Sequence, residues 1–212
     1  MTISTQFLFD FGSPNAYLAH KVLPSIEQRT GVNFTYVPIL LGGLFKLTNN
    51  RSPAEAFAGI ANKQAYDKLE MRRFIERHGL HAFRSNPFFP VNTLKLMRGA
   101  CAAQAIGEFD KYVDEIFKAM WEGQLKMDDD AVFLEVLTRA GLDAGRIIGQ
   151  SQEPAVKATL LANTQYAYDH GAFGSPSFLV GHELFFGKDR LRDVEEEIER
   201  QKQAGTAGGV RP

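Results

Sequence analysis

From residue 42 to residue 169 the apolar side chains recur only at helical spacing, and this unbroken run constrains the fold more than any other feature of the chain. Five blocks carry it, residues 53–78, 91–106, 109–121, 129–140 and 155–170, set apart by Gly, Pro and Asn clusters. Five helices in a row with no strand between them predict a helical unit inserted into a different architecture.

The flanks supply that architecture. Residues 5–11 (TQFLFDF) are short, aromatic-rich and bounded by Gly12, which suits a buried strand. Ser13-Pro14 then offers an N-cap residue and a proline at the first helical position. The helix pattern of Ala16, Tyr17, Val22 and Leu23 runs to Thr30-Gly31, with a kink expected at Pro24. Residues 33–41 (NFTYVPILL) read as a second strand, and a strand, helix, strand order implies a right-handed crossover joining two parallel strands. Beyond the helical run, residues 177–180 and 184–186 read as strands joined through Gly181, His182 and Glu183, and Asp189 opens a last amphipathic helix. Residues 204–212, rich in Gly and Ala, read as a frayed tail. The outline, βαβ, helical insert, ββα, is an α/β chain on the thioredoxin-like plan: residues 1–41 and 171–203 form that domain and residues 42–170 the inserted helical one.

The charge balance narrows the partners. Among 212 residues, 24 Lys plus Arg face 25 Asp plus Glu, so no basic excess points to nucleic acid. No apolar run nears the roughly 18 residues that span a bilayer, and no basic-then-apolar leader opens the chain, so a soluble cytoplasmic protein without membrane contact is expected. Cys101 is the single cysteine, which excludes an internal disulfide, a Cys-x-x-Cys pair and a cysteine zinc site; within its Ala-rich block it reads as packed and inert. No metal is expected. His78 and His81 straddle Gly79 and lack i, i+4 geometry, and Asp128-Asp129-Asp130 lacks the glycine and distal glutamate of a calcium loop and reads as a helix start. Arg72, Arg73, Arg77, His78, His81 and Arg84 read as a solvated helix face.

Three segments, FDFGSPNAYLAHKVLP, PFFPVNTLKLMR and GAFGSPSFLVGHELFFGKDRL, together resemble the 2-hydroxychromene-2-carboxylate isomerases, relatives of the kappa-class glutathione transferases, over residues 7–197. The resemblance implies a homodimer, glutathione as cofactor in a cleft between the two domains, and a small aromatic hydroxy or keto carboxylate as substrate. The implied reaction interconverts a cyclic 2-hydroxychromene-2-carboxylate and an open-chain trans-o-hydroxybenzylidenepyruvate by reversible thiolate addition. Two other readings stay open: a kappa-class-like transferase that consumes glutathione, and a non-catalytic module that binds peptides at Ser175-Pro176.

Dithiol oxidoreductases of this fold place a cysteine after the first strand; here the residue is Ser13, and Ala16 stands three residues on, so intrinsic thiol redox chemistry is excluded there. Ser13 either caps its own helix or donates a hydrogen bond to an external thiolate. A hydrogen bond to a charged group, about 1.5–3 kcal/mol, with a helix N-terminus would lower a thiol pKa of about 8.5 by about one to two units. Gly174-Ser175-Pro176 precedes a strand, where the resemblance implies a cis proline that leaves the Ser175 main chain facing a tripeptide; a plain trans proline at a strand entry is the alternative. By resemblance Phe186, Gly187, Lys188 and Asp189 form the γ-glutamyl pocket, Asp189 pairing with the ligand ammonium unless it serves only as an N-cap. Lys46 matches the substrate-contacting lysine, and Asn62 with Lys63 the polar pair downstream of it. Asn92 either caps a helix or lines the same cleft.

Overall fold

The computed structural model describes residues 3–207. Strand β1 (Thr5–Phe9), helix α1 (Pro14–Thr30) and strand β2 (Thr35–Pro38) open the chain, and β3 (Ser177–Val180), β4 (Glu183–Phe186), a 3-10 turn (Lys188–Arg190) and α10 (Leu191–Ala207) close it. Between them lie α2 (Leu41–Leu47), α3 (Pro53–Ala56), α4 (Ala61–His78), α5 (Leu94–Ile106), α6 (Phe109–Trp121), α7 (Asp130–Arg139), α8 (Ala144–Ser151) and α9 (Pro154–Asp169). The sheet runs in the order β2-β1-β3-β4. β1 pairs parallel with β2, Phe7 opposite Tyr36, and antiparallel with β3, Phe7 opposite Phe178. This is the thioredoxin-like α/β arrangement.

The period of two along each strand sorts side chains onto two apolar faces. Phe7, Phe9, Phe178 and Val180 face the larger core with α1, α5, α6 and α10, while Leu8 and Leu179 face the smaller one with Ile39, Leu44 and Ala167. Both sides of the sheet are therefore covered, and the larger core runs without a break from the sheet into α5–α8. Phe7, Phe9, Phe11 and Phe117 form its aromatic centre, Phe11 meeting Phe117 edge-on at 4.8 Å. Each fully buried Phe contributes roughly 1.5–3 kcal/mol by area alone.

Several boundaries depart from the periodicity. Residues 53–78 form two helices, because Phe57 to Ile60, with Gly59, lie exposed and have no core to bury. Strand β2 stops at Pro38, and Leu41 starts α2 because its N–H is held by the Asp10 carboxylate. Helix α8 was absent from the pattern: Gly145 and Gly149 weaken its propensity, and burial of Ala144 and Ile147 supplies what propensity does not. Pro24 lies inside an unbroken α1. Asp189 does not open the last helix, since the 3-10 turn intervenes before Leu191. Residues 204–207, read as tail, continue α10; the rest of that tail lies outside the described residues.

Candidate active site

Ser13 closes the loop after β1. Its backbone is extended at φ −94°, its N–H donates to Asp10 O, and Pro14 sets the first helical φ of the 17-residue α1. The hydroxyl accepts from the Ala16 N–H at 3.2 Å, which is the capping role, and donates to Ser175 O at 2.8 Å, which ties the cap to the other half of the sheet. Ser175-Pro176 is cis, as the resemblance implied, and Ser175 Oγ accepts from the Asp10 N–H at 3.1 Å. A second cis bond, Phe89-Pro90, was not foreseen. Ser13, Ser175 and Pro176 are thus gathered at one point although more than half the chain separates them. All three are buried.

Beneath them sits Asp10, which the residue pattern did not single out. Its Oδ1 accepts from the Gly12 N–H and its Oδ2 from the Leu41 N–H, both at 2.8 Å, and the Thr93 hydroxyl is a third donor. Complete burial raises its pKa above the usual 3.8 against the lowering effect of these donors. One carboxylate therefore joins the Ser13 loop, the start of α2 and the N-cap of α5. The available signal was an acidic residue interrupting an aromatic strand, a placement that water-facing carboxylates avoid.

Strand β4 brings Phe186 to the same turn. Its ring comes within 2.6 Å of where a Cβ on Gly174 would stand, so a side chain there would displace the ring, and it packs on Phe173 at 4.4 Å. Gly187 at φ 94° donates to Pro176 O at 2.9 Å and leads into the 3-10 turn. Lys188 then departs from expectation, because it turns inward and is 2% exposed. Its Nζ donates to Glu70 Oε2 at 2.5 Å and Asp189 Oδ1 at 2.6 Å and stands over the Phe74 ring at 4.8 Å. Desolvation, then a hydrogen bond with Asp189, pushes Glu70 up; desolvation acts the same way on Asp189, but the bonds with Glu70 and Lys188 outweigh it and hold Asp189 low. Glu70, one of three acidic residues on a largely exposed helix, carried no sequence signal.

Lys63 lines the same cavity of about 650 Å³ as Lys188 and Asp189, ion-paired to Asp67 and over the Phe57 ring at 5.3 Å. Arg77 and His78 also line it, so the basic stretch is not wholly a solvated face. Burial, then Arg77, lowers the His78 pKa. Lys46, in the last turn of α2, and Asn62, in the first turn of α4, are exposed, and neither is a hydrogen-bond partner of Ser13. Asn92 Oδ1 accepts from the Leu94 N–H at 3.1 Å at the entry to α5 and lines a separate cavity of about 300 Å³ with Lys95 and Asp130. Asp129 caps α7, and Cys101 is buried in α5 with its thiol pushed up to about 11 by desolvation. No helix of the described residues is long and apolar enough to cross a membrane.

Residues 5–199 match the family model of the DSBA-like thioredoxin domain. A 2-hydroxychromene-2-carboxylate isomerase from Pseudomonas sp. (strain C18) is 25% identical over 199 residues, covering 93% of this chain and 91% of that one. Glutathione S-transferase kappa 1 of Caenorhabditis elegans is 28% identical over 200 residues, covering 87% and 86%. A solved 2-hydroxychromene-2-carboxylate isomerase superposes with a TM-score of 0.78 at 24% identity, covering 97% of this chain and 99% of that one.

Proposed function

The chain belongs to the DSBA-like thioredoxin domain family, and on that footing we propose that it is a glutathione-dependent isomerase of aromatic hydroxy and keto carboxylates, of the 2-hydroxychromene-2-carboxylate type. The observation that carries the reading is Ser13, which caps α1 and bonds the cis-proline turn where redox relatives carry cysteine, in a chain whose single thiol is buried in α5. A sulfur nucleophile for this position has to come from a small thiol. Glutathione supplies that nucleophile, whose reversible addition to a conjugated carbon turns a double bond into a rotatable single one.

The residues suited to the sulfur end are Ser13 and the Ser175-Pro176 main chain. Ser13 spends its proton on Ser175 O, so serving an anion means exchanging a neutral bond for a charge-assisted one, about twice as strong. The net gain is about 1–1.5 kcal/mol, close to one pKa unit rather than two. Donors at the α1 N-terminus add to it. Phe173 and Phe186 offer an apolar wall for a ring, and Lys46, with Asn62 and Lys63 on α4, is proposed to hold the substrate carboxylate. A homodimer in the cytoplasm completes the proposal; exposed Phe57, Ile60 and Tyr66 are apolar surface that a second copy would cover, which sedimentation tests.

The purified protein should interconvert trans-o-hydroxybenzylidenepyruvate and its cyclic isomer only when glutathione is present, with the glutathione recovered unchanged. Consumption of glutathione would favour the transferase reading that the kappa-class relative supports. Isomerisation at the same rate without any thiol would refute the proposal.

A further inference from the structure

The surroundings of the Lys188 Nζ have the composition of a receptor for an ammonium ion. Glu70 and Asp189 accept from it at 2.5 and 2.6 Å, and the Phe74 face lies 4.8 Å from it. Two carboxylates and an aromatic face are the groups that would hold the α-ammonium of a γ-glutamyl residue. The chain's own ammonium already stands there, nearly excluded from water at 2% exposure. A ligand ammonium arriving at the same carboxylates meets a like charge or must expel a buried lysine. Around the rest of the cavity Arg29, Lys63 and Arg192 are paired with Glu195, Asp67 and Glu196, and Arg77 has no ion-pair partner among the described residues.

We propose that the cavity at Lys188, whose lining does not include Ser13 or Ser175, takes the far end of that thiol and is built for one that lacks an α-ammonium group, because Lys188 fills the ammonium position from within. This rests on the thiol-dependent reading above and refines its ligand class. Glutathione remains usable, but its amino group brings no affinity here, and a thiol ending in carboxylate alone binds at least as well.

The test compares glutathione with glutaryl-cysteinylglycine, the same tripeptide without the α-amino group, by titration calorimetry. Wild-type protein should bind the des-amino tripeptide as tightly as glutathione or more tightly. Lys188→Gln exposes the Glu70–Asp189 pair and should reverse the order, favouring glutathione by about tenfold or more, the discrimination of one charge-assisted hydrogen bond. A wild-type preference for glutathione of tenfold or more, the sign that Lys188 swings out, would overturn the inference while leaving the thiol reading intact, and this comparison decides even if Lys188→Gln does not fold. A folded Lys188→Gln with the wild-type order also overturns it. If neither tripeptide binds wild-type protein, the thiol reading itself fails and the inference goes with it.

Discussion

Replacing Asp10 by asparagine asks whether one buried carboxylate organises the site. Its two oxygens each take a main-chain N–H at 2.8 Å, from Gly12 and from Leu41. Asparagine has a single carbonyl oxygen, so one of those amides then faces an NH2 group. Losing a hydrogen bond to a charged group costs about 1.5–3 kcal/mol, and a buried unpaired amide adds about 1–3 kcal/mol. Because burial outweighs the donors, relief from burying a charge offsets the lost charge-assisted bond, which leaves the unpaired amide and a net loss of about 1–3 kcal/mol at neutral pH, or about 2–12 °C in Tm for a chain of this length. The pH dependence has a definite sign. Burial outweighs the donors and sets the folded pKa above 3.8, so the native state holds its proton more firmly than the unfolded chain. That contribution is fully present below the unfolded pKa and is lost as pH rises through the folded one. Asparagine has no such dependence, so the stability gap between the two proteins is widest in acid and narrows as pH rises. Urea denaturation of both proteins at several values between about pH 4 and pH 7 measures the gap. A gap that widens with pH, or a variant as stable as wild type at neutral pH, refutes the reasoning.

Ser13→Ala should lower the glutathione-dependent rate by roughly tenfold, the one pKa unit its hydroxyl supplies, and stability by about 1–3 kcal/mol through the lost cap and Ser175 bond; lower stability with an unchanged rate at saturating glutathione would leave Ser13 a cap alone. Gly99→Ala sets a Cβ 2.1 Å from the Tyr112 Oη and displaces that hydroxyl from Leu96 O; overpacking and the lost bond should cost about 2–4 kcal/mol, and an unaltered melting curve would contradict it. Cys101, buried and with its thiol pushed up to about 11, should resist iodoacetamide at pH 8 in native protein and react fully in urea. Mass spectrometry reads the adduct, and rapid native labelling would show that α5 opens.

The elements that carry their own signal were legible. Helix α6 and strand β3 have the ends that apolar spacing and flanking residues assign, because α6 buries one continuous face and every residue of β3 is buried. The block at residues 53–78 was not, since helix propensity runs through a stretch that has nothing to pack against. At the site, the turn around Ser13 and Ser175-Pro176 was legible from local residue chemistry and from resemblance. Asp10 was overlooked because it lies within the aromatic stretch at residues 5–11 that reads as a strand, and only burial turns it into a hub. Lys188 was read as a pocket residue on position alone.

What the order of residues settled unaided is that a serine follows the first strand and that the chain holds one cysteine, so no internal dithiol pair can form, because that depends on covalent identity alone. What required three dimensions is the fate of the charges. Lys188 and Glu70 are 118 residues apart, yet they share one hydrogen bond, and the Lys188 side chain is 2% exposed. Whether an ammonium awaits a ligand or is already satisfied depends on which carboxylates surround it and how much water is left, and these are properties of packing that no local stretch of chain encodes.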